Sequence, residues 1–253
     1  LGMLAVILSA GIDLSVGAVV ALSAILVGEF APLMPIVAAI AMAIGAASLV
    51  GLVNGTIIAR FRLAPFIVTL GSMSAVRGPV YVISEVPVVH DDPDFLAIGS
   101  AMLVPVPIIT IFMLAAYLVM SFFLNRTTAG RSIIAIGGNE EAVRLAGINV
   151  RAHITLAYVI CSTLAGVAGV ILASRVGISQ PSVGSGLELD AIAACVIGGA
   201  LLSGGVGSVR GTFAGVVILG LISNLLNMFN VQSYYQQIFK GVLIVLAVLA
   251  RRK

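Results

Sequence analysis

Three stretches of the chain, 35–59, 103–124 and 154–174, hold no charged residue, and each is 21 residues or longer. About 20 apolar residues cross a bilayer as a helix. Apolar runs broken by polar or Gly-rich turns give nine candidate spans: 1–12, 14–28, 36–58, 64–84, 103–124, 153–174, 188–203, 211–229 and 236–250. The pattern predicts an all-α, polytopic transmembrane helical bundle, with residues 1–253 as a single membrane domain.

Two of these spans are too short. Residues 14–28 reach roughly 22 Å at 1.5 Å per residue, against a hydrocarbon core of about 30 Å, and 188–203 is nearly as short. Each follows a Gly-rich turn with carboxylates: Gly11-Ile12-Asp13-Leu14-Ser15-Val16-Gly17 and Gly184-Ser185-Gly186-Leu187-Glu188-Leu189-Asp190. Irregular backbone at membrane depth survives only where protein or a water-filled cavity satisfies it, so both turns are expected to face the bundle interior. Gly11–Leu14 aligns with Gly186–Leu189 at an offset of 175 residues, with an odd number of spans between them. That is the signature of an inverted-topology repeat with broken helices, a pointer to a transport pathway.

Charge sets the orientation. Arg60 and Arg62, then Arg126, Arg131, Arg144 and Arg151, then Arg210, and finally Arg251, Arg252 and Lys253 fall in connections separated by pairs of spans. All four groups therefore face the cytoplasm under the positive-inside rule, which leaves the C-terminus cytoplasmic. The opposite connections carry Glu29, Glu85, His90, Asp91, Asp92 and Asp94, with Arg175 the one loop cation among them.

Composition agrees: 60% of residues are apolar, 9% are charged, and mean hydropathy is +1.22. Soluble domains carry about 25% charged residues. Trp is absent and no basic cluster lies on a soluble segment, so nucleic acid is not an expected partner, whereas membrane lipid is. Cys161 and Cys195 sit in apolar runs without a second ligand at metal spacing and read as buried small hydrophobes. No metal or cofactor is expected. Leu1 opens inside an apolar run, so the chain is expected to lack its N-terminus.

Residues 125–152 form the only sizeable cytoplasmic loop. Within it Asn139 reads as an N-cap, Glu140 and Glu141 as the first turn, and Gly147 as the C′ glycine of a short amphipathic helix that includes Ala142, Arg144 and Leu145. Such a helix either fills space on the membrane surface or docks a cytoplasmic partner. Of the interior carboxylates, Asp13 is placed to cap the helix from Leu14, and Asp190 lies in the first turn of the next. Asp13, Ser15, Glu188 and Asp190, with Asn54, Ser223, Asn224 and Asn227, are pathway candidates, since a neutral polyol favours amide and hydroxyl partners. Arg77 is expected to snorkel or to pair with a carboxylate. A P-loop would need Gly-Lys-Ser/Thr, and neither Lys240 nor Lys253 provides it, so ATP hydrolysis in this chain is not expected. Intramembrane proteolysis lacks its constellation, because of the two histidines His90 lies outside and His153 at the cytoplasmic edge.

The runs GIDLSVGAVVALSA (11–24), APFIVTLGSMSAVRG (64–78), GRSIIAIGGNEEAVRLAGINV (130–150), QPSVGSGLELDAIAACVIGG (180–199) and the segment 204–249 occur in one order along the chain. Together they resemble the permease subunit of ribose-type monosaccharide ABC importers. The resemblance covers essentially the whole chain. It implies ten crossings, of which the first helix and half of the second would precede Leu1. It also implies a bacterial inner-membrane location, a permease homodimer, a separate cytoplasmic ABC ATPase and a periplasmic sugar-binding protein. It makes residues 139–150, including Asn149, the coupling helix that docks on the ATPase. The motifs are shared by permeases for several sugars, so the substrate stays open. The competing expectation from physics alone is an ion-coupled secondary transporter of a small polar solute, which needs no ATPase dock.

Overall fold

Two helices that are apolar on every side occupy the centre of the bundle, as a helix without a polar face must. In this computed structural model, which describes residues 1–103 and 105–249, α1 (Gly2–Leu8) is buried along its length, with Met3–Leu8 no more than 2% exposed. α2 (Val16–Phe30) is buried from Gly17 to Gly28. Around them pack α3 (Ile36–Phe61), α4 (Pro65–Ile83), α6 (Ile108–Arg126), α9 (Val150–Val176), α10 (Leu187–Ile197), α11 (Val209–Met228) and α12 (Ser233–Leu249).

The α3–α9 contact is made by residues with little side chain. Ala39, Ala43, Ala47, Gly51, Gly55 and Ala59 recur every fourth position of α3 and are all buried. A side chain on Gly51 would come within 2.5 Å of the Tyr158 carbonyl oxygen on α9. Close backbone approach of this kind is how helices associate in lipid, where apolar surface alone gives no preference for a neighbouring helix. The Ser48 and Thr163 hydroxyls add a hydrogen bond of 2.7 Å across the same interface. By contrast α4, α6 and α11 leave apolar side chains such as Phe66, Leu118 and Leu221 exposed on the outside of the bundle.

Among the described residues five helices, α3, α4, α6, α9 and α11, are long and apolar enough to span a membrane. Two of the remaining expected spans, 1–12 and 188–203, end earlier than the hydropathy pattern implied. α1 stops at Leu8, not at residue 12, because Ala10 turns left-handed (φ 61°) and the amides of Ala10 and Gly11 fold back onto Ile7 and Val6. α10 stops at Ile197 in the same way, with Gly199 at φ 107° and the Ala200 amide bonded to Cys195. These are Schellman closures, which satisfy the last carbonyls without any change in hydropathy. The end of the 236–250 span and the basic residues Arg251, Arg252 and Lys253 lie outside the described residues.

Two helices have apolar runs too short to read as spans. α7 (Thr128–Gly138) occupies the first part of the expected cytoplasmic loop, so that loop holds two helices and not one. Thr127 caps α7 by accepting from the Gly130 amide, and Ile133 and Ile136 are buried. On the opposite side α5 (Pro93–Ser100) starts from an Asp92 cap followed by Pro93. Next to it β1 (Val88–Val89) pairs antiparallel with β4 (Ile178–Ser179). A second short pair, β2 (Met102–Leu103) with β3 (Val106–Pro107), leads into α6.

Candidate functional site

Between α1 and α2 the chain is non-helical, and it carries polar side chains into the interior. Asp13 and Ser15 are fully buried and Asn54 is 2% exposed. Asp13 Oδ1 accepts from the Ser15 amide (2.9 Å) and the Ser15 hydroxyl (2.6 Å), and Asn54 Nδ2 on α3 donates to that hydroxyl oxygen (3.1 Å). Three of the expected pathway residues therefore form one network. Asp13 does not cap α2; its bonds close a turn ahead of the helix, because Ser15, two residues on, presents both donors. The neighbouring Ile12 carbonyl accepts from Tyr158 of α9 (3.3 Å) and Thr69 of α4 (3.4 Å). Side chains of α3, α4 and α9 thus converge on the seven residues of broken backbone, 9–15, as irregular chain at membrane depth requires. Among the described residues Asp13 Oδ2 has no hydrogen-bond partner.

The second Gly-rich turn meets the first. Side chains on Gly17 and Gly184 would run into each other's carbonyl oxygens, and one on Gly17 also into the Glu188 carboxylate. Gly184 further needs its left-handed backbone (φ 82°). Glu188 is bonded to the Gly186 amide (3.2 Å). Asp190 stands in the first turn of α10 as expected, and it also accepts from Lys240 of α12 at 2.8 Å, an ion pair the sequence did not suggest. Arg77 neither snorkels nor finds a carboxylate: its Nη1 donates to the Pro181 and Val183 carbonyls (2.8 and 3.0 Å) and ties α4 to the second turn. Asn224 and Asn227 lie apart from this region, exposed on α11, and Asn227 accepts from Gln236 at 2.8 Å. Ser223 lies beside them and lines an apolar hollow between α6, α9 and α11.

The second site is α8 (Glu140–Leu145). Asn139 caps it by accepting from the Ala142 amide at 2.9 Å, and Gly147 ends it at φ 80° with the Ile148 amide returning to Val143. Both are as the sequence led one to expect. Glu141 and Arg144 pair along the helix at 2.5 Å, while Asn149 caps α9 through the Ala152 amide. Val143 is 7% exposed and packs with Ile136 of α7 and Val150 of α9, which holds the helix down. Leu145 points the other way and is 79% exposed.

α7 links the two sites. Its C-terminal glycines abut the end of α1: a side chain on Gly137 would strike the Leu8 carbonyl oxygen, which accepts from the Gly205 amide at 3.0 Å. Gly204 and Gly205 form the loop that clasps the end of α1. Residue types in 201–207 gave no hint of this contact, which links segments nearly 200 residues apart.

A family model described as branched-chain amino acid transport system / permease component matches residues 1–248. The chain is 44% identical to the ribose import permease protein of Escherichia coli (strain K12), over all of this chain and 80% of that protein. It is 40% identical to the ribose import permease protein of Bacillus subtilis (strain 168), with the same coverage. It is 38% identical to the D-allose transport system permease protein of Escherichia coli (strain K12), over 96% of this chain and 75% of that protein. No solved structure matches the chain.

Proposed function

The chain belongs to the branched-chain amino acid transport system / permease component family, and from that premise we propose that it is the membrane-spanning subunit of an ATP-driven importer for a monosaccharide. It is a multi-pass inner-membrane protein and a transport component, not an enzyme. The relatives named for ribose and allose support a sugar as cargo over the ion-coupled alternative. The partners are a cytoplasmic ABC ATPase, a periplasmic sugar-binding protein and a second permease subunit, with the C-terminus and the 125–152 loop on the cytoplasmic side.

The observation that carries this reading is α8. A helix that only filled space would turn its leucine inward, yet Val143 is inward and Leu145 is 79% exposed. The helix is also joined through Ile136 and the glycines of α7 to the end of α1. A partner that pushes on α8 therefore pushes on the segment whose break holds Asp13, Ser15 and Asn54. Asn139, Glu140, Glu141, Ala142, Arg144, Leu145, Gly147 and Asn149 form the coupling segment, of which Asn139, Gly147 and Asn149 shape the backbone and Ala142 and Leu145 make the contact. Asp13, Ser15 and Asn54 hold the break, and Glu188 braces it. Asp190 of α10 pairs with Lys240 of α12, and Asn224 and Asn227 stand exposed on α11, apart from the break.

Co-purification tests this directly. The full-length permease in detergent should retain its ATPase subunit, and uptake in cells should stop on ATP depletion yet survive an uncoupler while ATP is maintained. Uptake that follows the proton gradient would reject the reading.

A further inference from the structure

A pocket of about 580 Å³ opens between the ends of α3, α8 and α9 and reaches inward to the break at Ser9, Ala10 and Gly11 and to Tyr158. Arg62, Arg144 and Arg151 line it, with Glu140 the one carboxylate among them. Arg144 is engaged by Glu141. Among the described residues no carboxylate lies within ion-pair distance of Arg62 or Arg151. Arg62 is also held with a left-handed backbone (φ 53°) at the C-terminus of α3, a conformation that disfavours side chains larger than glycine by about 1–2 kcal/mol.

The position of the pocket narrows the ligand. Arg62 directly follows the apolar span of α3, and Arg151 opens that of α9, so both sit where hydrocarbon gives way to water. Beside the mouth, Phe61, Leu63 and Phe66 are 65%, 48% and 54% exposed. The site thus offers cations to a head and an apolar apron to a tail. A soluble anion would use the first and leave the second idle. Basic pockets among transmembrane helices on the cytoplasmic side are suited to anionic lipid heads. We propose that this pocket seats the phosphate headgroup of an anionic phospholipid, whose acyl chains run over Phe61, Leu63 and Phe66. The headgroup would bridge Arg144 of the coupling helix to the ends of two spans, and so tie α8 to the membrane domain. The proposal rests on the orientation given above only for the leaflet concerned, and the test below has no sidedness, so the two can fail separately.

Full-length permease in nanodiscs of phosphatidylcholine with a minor fraction of phosphatidylglycerol would be released and the retained lipids weighed by native mass spectrometry. Phosphatidylglycerol should be enriched over its bulk fraction. Arg62→Gln with Arg151→Gln should lower the enrichment by a factor of about five per arginine, whereas Arg60→Gln, outside the pocket, should leave it unchanged. The single Arg151→Gln variant carries the same test if the double variant does not fold. Equal enrichment in wild type and variants would overturn the proposal. So would displacement of the lipid by excess inorganic phosphate, which would mark a soluble-anion site, or its release when the ATPase binds, which would mark the pocket as part of the subunit interface.

Discussion

The break at residues 9–15 and the coupling segment at 139–149 are built from the same local devices and differ in their surroundings. Each has a left-handed residue closing a short helix (Ala10 at φ 61°, Gly147 at φ 80°) and an Asp or Asn side chain holding backbone amides. At the break, α3, α4 and α9 add hydrogen bonds from outside the segment, and the polar groups are sealed from solvent. At the coupling segment the hydrogen bonds are local, and the largest apolar side chain faces outward. Local chemistry gives both segments their shape. The neighbours decide that one moves only with the helices around it, and that the other is complete only when something covers it.

That contrast is broken most severely by wedging apart the helices that hold the break. Gly51→Leu places a side chain against the Tyr158 carbonyl. Overpacking of this kind costs about 3 kcal/mol or more where backbone is the obstacle, so the variant should be nearly absent from membranes by immunoblot. Leu145→Ala, on the exposed side, should accumulate normally.

A smaller difference should separate two asparagines. Asn54→Ala removes the donor to Ser15 inside a dry network, at about 1–3 kcal/mol for the group left unpaired. Asn139→Ala removes the α8 cap, at about 1 kcal/mol, confined to an exposed helix of 6 residues. Thermal unfolding in detergent should shift downward for Asn54→Ala and stay put for Asn139→Ala. Equal shifts would mean that the two segments are not differently embedded.

The smallest effect belongs to the outer clasp. His90 is buried and bonded to the Ser179 hydroxyl (2.8 Å), which in turn donates to the Ala24 carbonyl (2.6 Å). Burial pushes its pKa below the usual 6.5, against the opposing pull of Asp91. The folded state thus favours the neutral ring. Its contribution is complete above about pH 6.5 and declines as pH falls through the lowered value. The unfolding temperature should hold steady from pH 8 to 7 and drop below about 6.5, and His90→Gln should flatten that part of the profile. A profile unchanged by the substitution would remove His90 as its source.

The central helices, the α8 cap and the C′ glycine at 147 were legible because each has a local cause: apolar residues on every side, Asn before two glutamates, Gly after the last apolar residue. So was the interior placement of Asp13 and Ser15, from the shortness of the span that follows. The fourfold recurrence of Ala39, Ala43, Ala47, Gly51, Gly55 and Ala59 stands in the sequence as a packing stripe, but a reading by hydropathy passes over it. α7 and α5 could have been found from Thr127 and from Asp92-Pro93, capping signals followed by apolar runs (133–136 and 95–98) too short to read as spans. The Asp190–Lys240 pair, the seating of Arg77 on two carbonyls and the clasp of Gly205 on Leu8 had no such signal. They join residues 50 to nearly 200 positions apart, and only the fold brings them together.

Coupling requires that α8 be a contact surface joined to the buried break. The direct test is sugar uptake and substrate-stimulated ATP hydrolysis by the reconstituted full-length complex carrying Leu145→Asp, measured at matched membrane levels. The fold should tolerate the charge, since Leu145 is 79% exposed, while replacing an apolar anchor at the centre of an interface costs about 2 kcal/mol or more. We expect normal accumulation with both activities lost. Normal accumulation with both activities intact would reduce α8 to a surface filler and contradict the account.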